Sequence, residues 1–215
     1  MSEDRALREE LIEACRSMNR LGINKGTAGN ISVRHGNGLL ISPTGIPYDK
    51  LTPDHVVQLG FDGTFAGDVL PSSEWRFHRD ILQARPDLHA VVHTHSTHAT
   101  ALSVMGRDIP PIHYAIAAAG GPSIRCAPYA IFGSQELADA VLEALDGRRA
   151  CLMAHHGVIA AHVSIARALA LAVTVEELAH QYLLCLPFGE PPVLSAAQIA
   201  EVMEKFKTYG QQPKP

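Results

Sequence analysis

Apolar positions recur along this chain with two different periods, and the switches between them predict its elements. Leu7, Leu11, Ala14, Met18 and Leu21 fall on one face of a helix, with Ser2 as a candidate cap, Glu3 and Asp4 in the opening turn and Gly22 as the stop. After the segment GTAGN the pattern shortens to two β-prone runs, Ile31 to Val33 and Leu39 to Ile41. They are joined by His35-Gly36-Asn37-Gly38, whose glycines and asparagine tolerate the positive φ of a hairpin turn. Pro43-Thr44-Gly45 predicts the next turn, Thr52-Pro53 a helix cap followed by its first residue, and Asp62-Gly63 a further hairpin.

Helical spacing returns from Glu74 to Arg85, with Ser73 as the cap and Pro86 as the stop. Ala90-Val91-Val92 reads as a compact buried strand. Ser134 to Leu145 predicts a helix ending at Gly147, Ala150 to Ala154 a second buried strand, and Ser164 to Cys185 a long amphipathic helix before Pro187. Ser195 caps a last helix through Phe206, leaving Gly210 to Pro215 as a frayed tail. Helices thus alternate with strands, an α/β (α+β) pattern. No repeat, linker or composition break divides the chain, so residues 1–215 are expected to form a single domain.

Composition narrows the functional classes. With 47% hydrophobic and 19% charged residues the chain can bury a sizeable core. A net charge of -4 with no basic run argues against nucleic acid as a partner. Cys15, Cys126, Cys151 and Cys185 are scattered and form no CxxC pair, which implies a reducing compartment. The opening MSEDRALREE lacks the bases and apolar run of a signal peptide, and no stretch is expected to reach the roughly 18 apolar residues of a membrane span. A cytoplasmic protein without a membrane partner is the resulting expectation.

Candidate chemistry gathers at the ends of the buried strands. His93-Thr94-His95 places two imidazoles two positions apart, so at the end of a strand both project from one face. His155-His156-Gly157 follows the second buried run, and a third imidazole from there would suit a borderline cation such as zinc. Spacing does not say which of His155 and His156 faces inward, and a lone His-x-His is more often an ordinary pair than a metal site. His78, His98 and His113 read as packing or hydrogen-bonding histidines. The deaminase alternative requires a PCxxC partner that this chain does not have.

Three small-residue segments are candidates for holding a phosphate through backbone N–H groups and hydroxyls. They are Gly26-Thr27-Ala28-Gly29-Asn30, Ser42-Pro43-Thr44-Gly45 and Leu70-Pro71-Ser72-Ser73, the last directly before a helix N-terminus. None is a Walker or dinucleotide loop, and each alone reads more readily as a turn than as an anion site.

Taken in order, GTAGN, SPTG, LPSSEWRFH, AVVHTH, IHYAIAAAGG, CAPYAIFG, HHG and EKFKTYG resemble the class II aldolase/adducin family over nearly the whole chain. The resemblance implies a three-layer αβα fold around a mainly antiparallel sheet, and a homotetramer with active sites at subunit interfaces. It also implies Zn2+ held by His93, His95 and His156, with Glu74 as a fourth ligand when no substrate is bound. Gly29, Asn30, Thr44, Gly45, Ser72 and Ser73 would hold a substrate phosphate; Phe132, Phe206 and Tyr209 would line the aldehyde end; Tyr114 would enter from a neighbouring subunit.

The implied reaction is reversible cleavage of a ketose 1-phosphate to dihydroxyacetone phosphate and an aldehyde. L-fuculose 1-phosphate, giving L-lactaldehyde, is the first substrate candidate, and 5-deoxyribulose or 5-methylthioribulose 1-phosphate are alternatives. Glu74 would move the proton on carbon, and Tyr114 that on the hydroxyl that becomes the aldehyde, with Tyr209 beside it. Without the resemblance, Glu74 reads as a first-turn carboxylate favoured by the helix dipole. A pentulose 5-phosphate 4-epimerase, a dehydratase, a zinc hydrolase and a noncatalytic adducin-like scaffold are the remaining alternatives. A scaffold has no use for Glu74, His93, His95 and His156 together.

Overall fold

A computed structural model describes residues 3–210. The candidate cap Ser2 and the tail 211–215 lie outside the described residues.

Seven strands form one sheet in the order β3-β2-β1-β4-β7-β6-β5. They are β1 (Asn30–His35), β2 (Gly38–Ile41), β3 (Val57–Gly60), β4 (Ala90–Thr94), β5 (Arg125–Ala127), β6 (Ala150–Met153) and β7 (Gly157–His162). Every pairing is antiparallel except β5 with β6. Six α-helices flank it: α1 (Glu3–Arg20), α2 (Trp75–Ala84), α3 (Thr97–Val104), α4 (Gln135–Ala144), α5 (Ile165–Cys185) and α6 (Ala196–Phe206).

Strand alternation sorts the core into two faces. Ile31, Val33, Leu40, Val92, Leu152 and Ala160 pack under α1, α3, α5 and α6, while Leu39, Ile41, Val91, Cys151 and Ile159 pack under α2 and α4. The three layers, helix, sheet and helix, agree with the expected fold. Of its predicted stripe α1 buries Leu11, Ala14 and Met18, with Cys15 beside them, while Leu21 lies past the helix end and is exposed. Truncating a side chain such as Leu11 to alanine costs about 2–5 kcal/mol by the usual cavity penalty.

Helix ends follow the serine caps. Ser134, Ser164 and Ser195 each accept a hydrogen bond from the backbone N–H three residues on, and Gln198 returns the bond to Ser195 to close a capping box. The cap of α2 is shifted by one residue from expectation. Glu74 itself occupies the cap position, and its backbone N–H donates to Ser72 Oγ at 3.3 Å.

Thr52-Pro53 does open a turn of helix, a short 3-10 segment over Pro53–His55. The β1–β2 turn needs positive φ only at Gly36; Asn37 stays at negative φ. The hairpin expected at Asp62-Gly63 follows β3, with Leu59 bridged to Phe65 across it, whereas β5, β7, α3 and the 3-10 segment Tyr114–Ala119 had no counterpart in the pattern.

α5 corrects the membrane-length expectation. By length and composition alone Ile165–Phe188 is apolar enough to span a bilayer, with a mean hydropathy of 1.3. Its packing gives the apolar character another cause: Ala168, Ala172 and Ala179 bring it close to the sheet, and Leu171, Val175 and Leu178 are buried beside them.

Candidate metal centre

The register of three strands builds the site. Asn30 at the start of β1 pairs with His93 near the end of β4, and His93 pairs with Ile159 of β7, two residues after Gly157. The β6–β7 turn therefore delivers His156 beside the end of β4. α2 covers the same face, with Phe77 edge-on to His93 at 5.5 Å, which places its cap residue Glu74 over the histidines.

Glu74, His93, His95 and His156 converge so that one ligand atom from each lies within 4.8 Å of all the others. His93 Nε2 is 2.9 Å from His95 Nε2 and 3.1 Å from Glu74 Oε2, and His156 Nε2 is 3.0 Å from Glu74 Oε1. His93 Nδ1 donates to the Val158 carbonyl at 2.9 Å, so its Nε2 presents a lone pair to the centre.

Burial holds the His95 imidazole at about 4, aided by its histidine neighbours, so it is neutral near pH 7. Burial alone would raise Glu74, but the facing His93 and His156 outweigh it and keep the carboxylate ionised. Glu74 Oε1 makes no hydrogen bond of proper geometry despite being buried. Three imidazole nitrogens and an anionic oxygen aimed at one point fit a divalent cation such as zinc.

The doubled histidine resolves through the backbone. His155 takes the left-handed conformation, φ 57°, in the turn and is exposed, whereas His156 turns inward. Gly157 must be glycine, because a Cβ there would lie 2.4 Å from the Thr94 carbonyl oxygen and 3.0 Å from the His95 ring.

All three small-residue loops meet beside Glu74. Ser42 exchanges hydrogen bonds with Ile31, Ser72 N–H donates to the Ser42 carbonyl at 3.0 Å, and Thr44 N–H donates to the Leu70 carbonyl at 3.2 Å. Thr44, Gly45 and Ser73 remain exposed there.

Gly29 and Asn30, the other residues expected at the phosphate, stand beside these loops next to Glu74. The Gly29 N–H is already bonded to Asn24 Oδ1 at 3.0 Å, and the Asn30 amide donates to Glu74 Oε2 at 2.9 Å. Sequence reasoning missed Asn24 and the Val158 carbonyl. His78, read as a hydrogen-bonding histidine, is one, and its spacing of four from Glu74 was the available signal of a shared face.

The expected aldehyde-side residues do not join this cluster within one chain. Tyr114 meets Phe206 at 6.4 Å, and Phe206 meets Tyr209 at 6.2 Å, forming an aromatic patch of their own on the α6 side. Phe132 is exposed on the loop before α4, next to Gly133, which abuts the Ser73 carbonyl. Two surface cavities, of about 1000 and 580 Å³, lie by the N-terminal half of α1 and by the GTAG loop, and neither includes a histidine of the cluster.

Fold and site together define a three-layer protein with a histidine–carboxylate cluster, able to hold a metal ion, at the end of its sheet. The chain belongs to the class II aldolase and adducin family, whose profile, described as the class II aldolase and adducin N-terminal domain, matches residues 9–183. It is 55% identical over 209 residues to the L-fuculose phosphate aldolase of Escherichia coli strain K12, covering 97% of each chain. It is 53% identical over 205 residues to the 5-methylthioribulose-1-phosphate/5-deoxyribulose-1-phosphate aldolase of Rhodospirillum rubrum, covering 95% of this chain and 93% of that one. Among solved structures, an L-fuculose 1-phosphate aldolase superposes with a TM-score of 0.92 at 37% identity, covering 96% of this chain and 98% of that one.

Proposed function

We propose that this chain is a zinc-dependent aldolase that reversibly cleaves a ketose 1-phosphate, with L-fuculose 1-phosphate as the leading substrate. The observation that carries the reading is the convergence of Glu74, His93, His95 and His156 beside the three loops, in a chain so similar to known aldolases. His93, His95 and His156 would hold the metal, with Glu74 as the fourth ligand before substrate arrives. When bound, zinc supplies a Lewis acid for the negative charge that develops on the ketose oxygens.

The chain's own residues then divide the remaining work. The Thr44, Ser72 and Ser73 hydroxyls and the Gly45 loop receive the phosphate next to the N-terminus of α2, whose dipole favours an anion. Gly29 and Asn30 complete that pocket: the Gly29 N–H bonds Asn24 Oδ1, and one of the two N–H groups of the Asn30 amide bonds Glu74 Oε2, so the other is left for the phosphate. Glu74 moves the proton on the carbon of the dihydroxyacetone phosphate half, as acid in cleavage and as base in condensation.

Tyr114 of a neighbouring copy handles the proton on the hydroxyl that becomes the aldehyde, and Phe132, Phe206 and Tyr209 close that end. Support for a homotetramer is that Tyr114, Phe132 and Tyr209 are 53%, 62% and 83% exposed in the single chain and separate from the cluster they would complete. We read residues 1–215 as one domain acting in the cytoplasm, where four free cysteines suit a reducing medium.

A second substrate reading rests on the Rhodospirillum rubrum relative, whose identity is nearly as high. 5-Methylthioribulose or 5-deoxyribulose 1-phosphate would meet the same metal and phosphate groups and differ only at the aldehyde end. The catalytic assignment is tested by paired variants. Glu74→Gln is expected to keep most of its zinc and lose turnover, whereas His93→Ala loses both; a fully active Glu74→Gln protein overturns the proton role.

A further inference from the structure

Behind Glu74 runs a line of buried polar side chains, Asn30, His78 and Ser32, and the aldolase reading gives no part to the last two. The Asn30 amide nitrogen donates to Glu74 Oε2 at 2.9 Å, the Asn30 carbonyl oxygen faces His78 Nε2 in a short hydrogen bond, and His78 Nδ1 lies 2.7 Å from Ser32 Oγ. None of the four residues is more than 5% exposed.

Chemistry fixes the direction of every bond in this line. An ionised carboxylate only accepts, so Asn30 turns its NH2 to Glu74 and its carbonyl to His78. A carbonyl also only accepts, so His78 carries its proton on Nε2. Its Nδ1 then accepts, and the Ser32 hydroxyl supplies that proton. Phe77, stacked on the imidazole at 4.8 Å, holds the ring in plane. A single tautomer and a single amide orientation satisfy all of these groups.

We propose that Ser32 and His78 are positioning residues: they lock the Asn30 amide into the orientation that donates to Glu74, and so aim the carboxylate that moves the proton. The kinetic consequence rests on the role given to Glu74 above; the locking of the amide does not. With His78 replaced by an apolar side chain, the Asn30 side-chain carbonyl loses its donor, so the amide is held only at its Glu74 end and can swing, taking the carboxylate with it.

The test combines imidazole nitrogen NMR of the metal-free protein with kinetics of the zinc-loaded one. Wild type is expected to show His78 protonated at Nε2, and Ser32→Ala to admit the Nδ1 tautomer. His78→Leu is expected to lose about 10- to 100-fold in kcat, the usual effect of removing a partner behind a metal-site ligand, with wild-type zinc content. Its KM stays within about threefold, because no group that touches substrate is removed.

His78→Gln, whose amide nitrogen reaches the Nε2 position, restores most of that loss. An Nδ1 tautomer in wild type overturns the proposal, as do equal kcat losses for His78→Leu and His78→Gln, which would mean packing alone. Should His78→Leu fail to fold, His78→Gln and Ser32→Ala still decide it. Should wild type cleave no ketose phosphate, the function proposed above fails, and the tautomer measurements still decide whether the amide is locked.

Discussion

Gly157 sits against Thr94 so closely that a Cβ on the glycine would lie 2.4 Å from the threonine carbonyl oxygen. The contact ties the start of β7 to the strand end that carries His93 and His95. Gly157→Ala is therefore expected to cost about 1–3 kcal/mol, the usual range for overpacking, and to lower zinc affinity as His95 is pushed away. Chemical denaturation and metal titration of the same preparation check both effects.

His155 tests the turn from the other side. Its left-handed backbone costs an L-residue with a side chain about 1–2 kcal/mol, which glycine does not incur. His155→Gly is expected to match or exceed wild-type stability, His155→Val to fall below it, and both to keep their zinc. His156→Ala, one position on, is expected to lose the metal. Thermal unfolding with and without a chelator separates the four proteins.

Glu176 reaches from α5 to cap α3, accepting the backbone N–H groups of His98 and Ala99 at 3.0 Å each, directly after the ligand segment. Burial pushes its carboxyl up, yet those N–H groups outweigh burial and hold it below the usual range. A depressed carboxylate contributes stability above its unfolded pKa and loses it as pH falls. Glu176→Gln is expected to be about 1–2 kcal/mol less stable than wild type near pH 7, as for loss of a helix cap or a charged hydrogen bond. The gap should close as wild type protonates in acid, and urea unfolding at several pH values reads it.

Acid should also weaken the metal-free protein through its histidines. Burial drives His78 down to about 3 and His95 to about 4, with neighbouring histidines adding to it. The unfolded chain binds these protons near pH 6.5 and the folded one does not. Stability is therefore complete above that value and declines from there toward pH 4. A metal-free protein equally stable at pH 7 and pH 5 contradicts this.

Much of the layered fold was legible in the sequence. Leu11 and Met18 on α1, the apolar runs of β4 and β6, the helix starts at Ser134 and Ser164 and the cap at Ser195 behave as the sequence predicts, while the cap expected at Ser73 falls on Glu74. β7 and β5 were not legible, because Gly157 to Ala161 carries no period of its own and β5 is three residues long.

At the site, spacing alone placed His93 and His95 on one face but left His155 and His156 equivalent; a left-handed turn that sequence does not encode separates them. Asn30 was legible only in part: its loop composition suggested an anion site, while its hydrogen bond to Glu74 follows from the register of β1 with β4, which spacing does not show.

The central claim is tested most directly by dihydroxyacetone phosphate release from a panel of ketose 1-phosphates, including L-fuculose 1-phosphate and 5-deoxyribulose 1-phosphate. The protein is assayed as purified, after zinc is stripped and after it is restored. Release that disappears with the metal and returns with it is the predicted result, and the preferred ketose then identifies the aldehyde. No release from any substrate by protein that retains its zinc contradicts the account.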